Sequence, residues 1–105
     1  MRKFNVDFTE FARGQLRDHV VFLTNVSPRA ARELYNEVYE KVKILYNNPF
    51  VYPVWQVSFE LPHEYRRIVV KKRFLVIYFV EGNNVFIDYV FNGVMDNSKF
   101  LGGRV

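Results

Sequence analysis

A well-marked helix in the first half of the chain limits how the other elements can pack. Ser27 is a favourable cap for a helix N-terminus, and Pro28 suits the first helical turn, where its missing N–H is not needed. The pair Asn47-Asn48 and then Pro49 end the pattern. The sequence therefore predicts a helix from Pro28 with an apolar face that a second layer must cover. Apolar residues on that face recur at spacings of three and four, and they are Ala31, Leu34, Val38, Val42 and Leu45.

Two shorter elements precede this helix. Residues 3–8 alternate between polar and apolar side chains, which predicts a strand. Thr9 can then cap a first helix, whose pattern runs to about Thr24. The link at Asn25-Val26 is short, so the two helices should pack antiparallel as a hairpin. The apolar positions of the first helix are Ala12, Leu16, Val20 and Leu23.

The second half of the chain predicts strands. Residues 49–63 hold three prolines and indicate an irregular crossing with a short strand at 54–60. Strand-like runs follow at 65–71, 73–80 and 84–91. The order β-α-α-β-β-β predicts an α+β fold, in which an N-terminal strand and a helical hairpin pack on one face of a small antiparallel sheet. The whole chain, 1–105, is expected to form one domain.

Composition excludes several classes of protein. Half of the residues are hydrophobic and 18% are aromatic, so the chain is not expected to be disordered. There is no cysteine, hence no disulfide framework and no thiolate metal site. The longest apolar run, 74–80, is too short to span a bilayer, and the N-terminus lacks the apolar region of a signal peptide. We expect a cytoplasmic protein.

The net charge of +4 is concentrated in residues 61–80. That window holds five basic side chains and one acid, Glu64, whereas the rest of the chain carries ten of each sign. The five are Arg66, Arg67, Lys71, Lys72 and Arg73. A cationic patch on a neutral surface predicts binding to nucleic acid or to an acidic protein target. The structural alternative is that these residues keep an edge strand and its turn soluble.

Candidates for catalysis are few. His63 could titrate near neutrality, and with Glu64, Arg66 and Arg67 it forms the only set that could serve as acid, base and cations in RNA cleavage. The alternative is a solvated loop histidine. His19 is expected at the surface. No metal or cofactor is predicted, because the histidines are isolated and no Gly-rich phosphate loop is present.

Three tyrosines form a stripe on the second helix. Tyr35, Tyr39 and Tyr46 are four and seven residues apart, beside the apolar face. They indicate either the edge of the core or an exposed surface that binds a partner protein, since aromatic residues are enriched at binding hot spots.

Five segments of the chain together resemble the RelE/ParE superfamily of toxins from bacterial type II toxin–antitoxin systems. Residues 27–31 (SPRAA) resemble the start of the family's second helix, and residues 45–53 (LYNNPFVYP) the segment after it. Residues 65–70 (YRRIVV) and 73–78 (RFLVIY) look like the paired central strands, and residues 85–90 (VFIDYV) like the last strand.

The resemblance implies a small cytoplasmic toxin, often serving plasmid stabilisation, that inhibits growth until a small and partly acidic antitoxin binds it. RelE-like members cleave mRNA on the ribosome, and ParE-like members inhibit DNA gyrase. RelE-like nucleases usually carry an arginine where this chain has Leu75, and a turn resembling H-G-x-R-D where it has residues 91–96, FNGVMD. These departures favour a ParE-like toxin that acts by binding. The alternatives are an mRNA endoribonuclease with an atypical site and a non-toxic basic interaction module.

Overall fold

A computed structural model describes residues 3–93 of the chain. It has the predicted element order β-α-α-β-β-β. None of the helices in this part of the chain is long and apolar enough to cross a membrane. The elements are β1 (Asn5–Phe8), α1 (Glu10–Val26), α2 (Pro28–Val42) with a 3-10 turn (Lys43–Tyr46), β2 (Arg66–Val70), β3 (Phe74–Glu81) and β4 (Asn84–Asn92).

The four strands form one sheet in the order β1-β4-β3-β2. Strands β2, β3 and β4 are antiparallel, as tight hairpins require. Strand β1 pairs with β4 in parallel, so the sheet is mixed rather than wholly antiparallel. These two strands are separated in sequence by both helices and by β2 and β3, so no hairpin turn fixes their relative direction.

Ser27 alone separates the two helices. Its N–H donates to the carbonyl of Leu23 and closes α1, while its hydroxyl accepts from the N–H of Ala30 and caps α2. The expected link at Asn25-Val26 was therefore wrong, because α1 continues through Val26. A connection this short forces the helices into an antiparallel hairpin that covers one face of the sheet.

Helix α1 also completes the outer edge of β4 beyond the end of β1. The Gln15 side chain accepts from the N–H of Val90 at 2.6 Å, and His19 Nε2 lies 2.9 Å from the Val90 carbonyl oxygen. The imidazole packs on the ring of Phe74 at 5.3 Å. The expectation that His19 would be a surface residue was wrong, because it satisfies a strand edge that no neighbouring strand covers.

The main core lies between the helices and the sheet. Within it the Tyr78 hydroxyl donates to the carbonyl of Pro49 at 2.7 Å, and burial raises the pKa of this phenol so that it stays protonated. This bond ties the irregular segment after α2 to the central strand. The fully buried members of this core include Leu34, Val38, Leu45, Ile68, Val76, Tyr78, Val85 and Ile87.

A second, mostly aromatic cluster covers the other face of the sheet, which we call the second face. The segment 54–65 crosses this face and buries Trp55 there. The strand expected at 54–60 was wrong, because only an isolated bridge between Val54 and Arg66 forms. The cluster consists of Trp55, Tyr65, Leu75, Ile77, Tyr89 and Phe91.

Candidate functional site

The cationic residues lie on β2 and on the turn that follows it. The alternation expected from the sequence stops at Val70, whose carbonyl accepts from the N–H of Arg73 at 3.2 Å. Lys71 and Lys72 between them have φ angles of 54° and 61°. Two positive φ angles in succession are characteristic of a type I′ turn, which normally contains Asn-Gly. For residues with a Cβ, this conformation costs about 1–2 kcal/mol each. We call Lys71-Lys72 the basic turn.

Two glutamates of α2 hold the basic turn. Glu37 accepts from the backbone N–H of Lys71 at 2.9 Å, and Glu33 accepts from its Nζ at 3.1 Å. The hydrogen bond from the Lys71 side chain lowers the pKa of Glu33, and that from its backbone N–H lowers the pKa of Glu37. Sequence reasoning missed both glutamates, although their i, i+4 spacing on one side of α2 was visible. The charge of Lys71 is thus neutralised within the fold.

Arg66 is occupied by the segment after α2. Its guanidinium donates to the carbonyl oxygens of Tyr52 at 2.7 Å and Phe50 at 3.4 Å, and lies 5.4 Å from the Phe50 ring centre. Its remaining charge contact is with Glu64, at 3.7 Å. Arg66 therefore serves the fold, and we do not retain it as a residue that contacts a target.

Replacing Arg66 by Met should lower the free energy of unfolding by about 1–3 kcal/mol, because the Tyr52 carbonyl would lose a charged donor in a half-buried place. Urea denaturation would measure the change. The matched variant Arg67→Met should change stability by less than about 0.5 kcal/mol. Equal effects of the two substitutions would contradict this division of roles.

Three of the five cations are not held by a polar group in the part of the chain that the structure describes. Within residues 3–93, the side chains of Arg67, Lys72 and Arg73 make no hydrogen bond or ion pair. Lys72 and Arg73 are exposed, and the Arg73 guanidinium lies 5.8 Å from the ring centre of Phe74. Arg67 is half-buried and stands opposite Ile77, on the second face. As far as residues 3–93 are concerned, these three positive charges are available to another molecule.

The candidate catalytic residues are only partly brought together. The exposed His63 ring stacks flat on Phe79, with 3.7 Å between ring centres, while the exposed Glu64 carboxylate faces Arg66 on the other side of the strand. Beside His63, the Tyr65 hydroxyl donates to Asp88 at 2.7 Å. Residues 3–93 contain no group of three or more histidine or acidic side chains that could hold a metal ion.

The tyrosine stripe of α2 is exposed. Tyr35 and Tyr39 keep 49% and 41% of their surface accessible, and their ring centres are 4.7 Å apart. This exposure favours the alternative of a surface that binds a partner, whereas Tyr46 is half-buried in the 3-10 turn after α2. Tyr39 also packs against Phe8, with 5.6 Å between the ring centres, and together with Tyr46 it lines a groove of about 420 Å³. Two cations that the sequence did not single out, Arg13 and Lys43, line the same groove.

Helix α2 thus carries two different surfaces. Its tyrosines face one side and Glu33 and Glu37 face the other, with the buried stripe of Leu34 and Val38 between them. This separation follows from the helical period, since positions two residues apart point roughly in opposite directions. A partner on the tyrosine side and a target at the basic turn would contact different flanks of one helix.

Comparison with solved structures places this architecture among known folds. A chain of the chromosomal ParDE TA system from P. aeruginosa superposes with a TM-score of 0.70 over 88% of this chain and 98% of that chain. The two sequences are 17% identical. No protein-family model matches the sequence, and no curated protein matches it. The chain thus shares the fold of that ParDE chain, and the resemblance read from the sequence is confirmed at the level of the fold.

Proposed function

We propose that this protein is the toxin of a type II toxin–antitoxin system and that it acts by binding a macromolecular target, with DNA gyrase the first candidate. The observation that carries the proposal is the fold shared with a chain of the ParDE system over most of both chains. Arg67, Lys72 and Arg73, which make no hydrogen bond or ion pair within residues 3–93, support it, because they offer positive charges along the edge strand β2 and on the turn after it for an acidic protein or for DNA. Activity in the cytoplasm belongs to the same proposal.

The second face of the sheet favours binding over RNA cleavage. Leu75 is 2% exposed and packs in the aromatic cluster, where the resemblance would place an arginine in an RNA-cleaving relative. Cleavage needs cations beside the phosphate and a base aligned with the 2′-hydroxyl. Here apolar side chains fill the centre of that face, and His63 lies against Phe79 at its margin. Part of the turn compared with the RelE-like pattern, residues 94–96, lies outside the described residues.

Induced expression of the protein alone should arrest bacterial growth while cellular mRNA stays intact. Arrest is expected because a gyrase-directed toxin blocks DNA supercoiling rather than translation. Growth curves, plasmid topology and mapping of mRNA 5′ ends would be measured together. Normal growth would reject the toxin assignment. Arrest with mRNA cleavage at ribosome-bound sites would instead establish the ribonuclease alternative.

We further propose that the antitoxin docks on the tyrosine stripe. Exposed aromatic rings supply large contact areas at low entropic cost, and the neighbouring Arg13 and Lys43 suit a partly acidic partner. This placement leaves the basic turn, on the opposite side of α2, for the target.

Changing Tyr35 and Tyr39 together to Ala should weaken antitoxin binding about 100-fold, because hot-spot aromatic residues contribute about 2 kcal/mol or more each and do not add fully. Calorimetric titration with the purified cognate antitoxin would measure the affinity. Phe59→Ala provides the control, since this exposed aromatic lies in the segment over the second face. Unchanged affinity of the double variant would remove the stripe from the antitoxin interface.

A further inference from the structure

We propose that Glu33 and Glu37 are positioning residues for the basic turn. They hold Lys71 and Lys72 in the left-handed conformation and thereby fix the directions in which Lys72 and Arg73 leave the sheet. The positioning role rests on the proposed function of these cations. The structural part of the proposal is that Glu33 and Glu37 form a latch between α2 and the hairpin of β2 and β3. This part depends only on the observed contacts.

The basic turn needs contacts from outside it, because lysine residues disfavour the positive φ angles that the turn requires. Type I′ turns are dominated by Asn and Gly, since only these residues adopt two successive positive φ angles readily. Lysine has a Cβ and no short polar group to stabilise that conformation locally. Non-glycine residues held in this region persist only where the surrounding structure fixes them, and such residues cluster at functional sites.

The latch supplies that support at the first residue of the turn. An N–H that follows the end of β2 and points away from β3 would ordinarily be left to solvent at this edge of the sheet. The Lys71 N–H instead donates to Glu37, whose carboxylate is itself held by Lys41 at 3.2 Å. Lys41 also donates to the carbonyl of Val69, the preceding outward group of the same edge, at 2.7 Å. Glu33 then fixes the Lys71 side chain, so both ends of this residue are bound to α2.

The consequence concerns the next two side chains. With Lys71 fixed, the chain direction at Lys72 is set, and Arg73 re-enters the sheet through two backbone bonds, to Val70 and to Gly93. Within residues 3–93, Lys72 and Arg73 make no side-chain hydrogen bond or ion pair, so the backbone sets their directions, together with the Phe74 ring beside the Arg73 guanidinium. A cation that is already oriented loses less conformational freedom on binding than one on a mobile turn. The latch thus pre-organises the surface that is left for a target.

The test compares Glu33→Ala/Glu37→Ala with the matched double variant Glu40→Ala/Glu60→Ala in the full chain. The control removes the same charge from two exposed glutamates that touch no part of the turn. Amide exchange of Arg73 reports the bond that closes the turn, and strong intraresidue HN–Hα NOEs of Lys71 and Lys72 report their left-handed conformation. In the variant Glu33→Ala/Glu37→Ala, which we call the latch variant, we expect the Arg73 amide to exchange about tenfold faster and both NOEs to be lost. Exchange and NOEs equal to those of the control would overturn the proposal.

A rescue separates positioning from simple loss of charge. Adding Lys71→Gly to the latch variant removes the Cβ that disfavours the turn while keeping Lys72 and Arg73. It should restore slow Arg73 exchange and growth inhibition, both of which the latch variant loses. An opened turn with full growth inhibition would overturn the positioning role. If the unmodified protein does not inhibit growth, the proposed function fails, and the exchange measurement alone still decides the latch.

Discussion

Growth inhibition should be abolished when Arg67, Lys72 and Arg73 are changed to Glu. Each substitution places a negative charge where the target is expected to be negative, and like charges across an interface cost several kcal/mol. Binding to the target should weaken by at least about 100-fold, since each 1.4 kcal/mol is a factor of ten. The fold should survive, because none of these side chains makes an internal hydrogen bond or ion pair within residues 3–93. Growth curves and inhibition of purified gyrase in a supercoiling assay would measure the effect.

A matched control carries the same change of charge elsewhere. Lys3, Arg17 and Lys43 are exposed and lie outside the hairpin of β2 and β3, so their combined change to Glu should leave growth inhibition intact. Urea denaturation of both triple variants would show that the comparison is between folded proteins. A folded Arg67/Lys72/Arg73 variant that still arrests growth would separate the cationic surface from the function. Loss of activity in both variants would point to net charge rather than to a specific surface.

The elements of the fold could be predicted from the sequence because their local signals agree. The helical spacing on either side of Ser27-Pro28, and the strand-like apolar runs of β3 and β4, predicted both helices and the hairpin strands to within a few residues. The parallel pairing of β1 could not be predicted, because alternation fixes which face is apolar and carries no information on strand direction. The segment at 54–60 alternated enough to suggest a strand, but it has a partner only at Val54.

The site was predicted less completely than the fold, because the partners of a charged side chain depend on tertiary packing. Charge concentration indicated the hairpin of β2 and β3 as a binding surface, but it could not distinguish cations bound within the fold from those that make no hydrogen bond or ion pair within residues 3–93. Arg66 is taken by carbonyls fourteen and sixteen residues earlier in the chain, and Lys71 by glutamates on α2. Such long-range partners depend on tertiary packing. The exposure of Tyr35 likewise depends on how far α2 is rotated over the sheet.

Replacing Leu75 by Arg should unfold the protein rather than create an RNA-cleaving site. Leu75 is 2% exposed and packs in the aromatic cluster on the second face, and the Asp88 carboxylate beside this cluster already accepts from the Tyr65 hydroxyl. A guanidinium at position 75 would therefore be buried among apolar side chains. An unpaired buried charge destabilises by about 3–5 kcal/mol, a large part of the 5–15 kcal/mol that holds a typical domain together. Thermal and urea denaturation would show a marked loss of stability, and growth inhibition would be lost with the fold.

Val69, the cross-strand partner of Leu75, provides the control substitution. Val69 stands directly opposite Leu75 on the same face, but it lies on the edge strand and is 36% exposed. Val69→Arg should therefore change stability little, because the longer side chain can extend into solvent. A folded Leu75→Arg variant that cleaves mRNA would mean that the second face opens readily to charged groups. In that case the apolar side chains of the cluster could be replaced without loss of the fold. The cluster would then give no reason to prefer a toxin that binds its target over one that cleaves RNA.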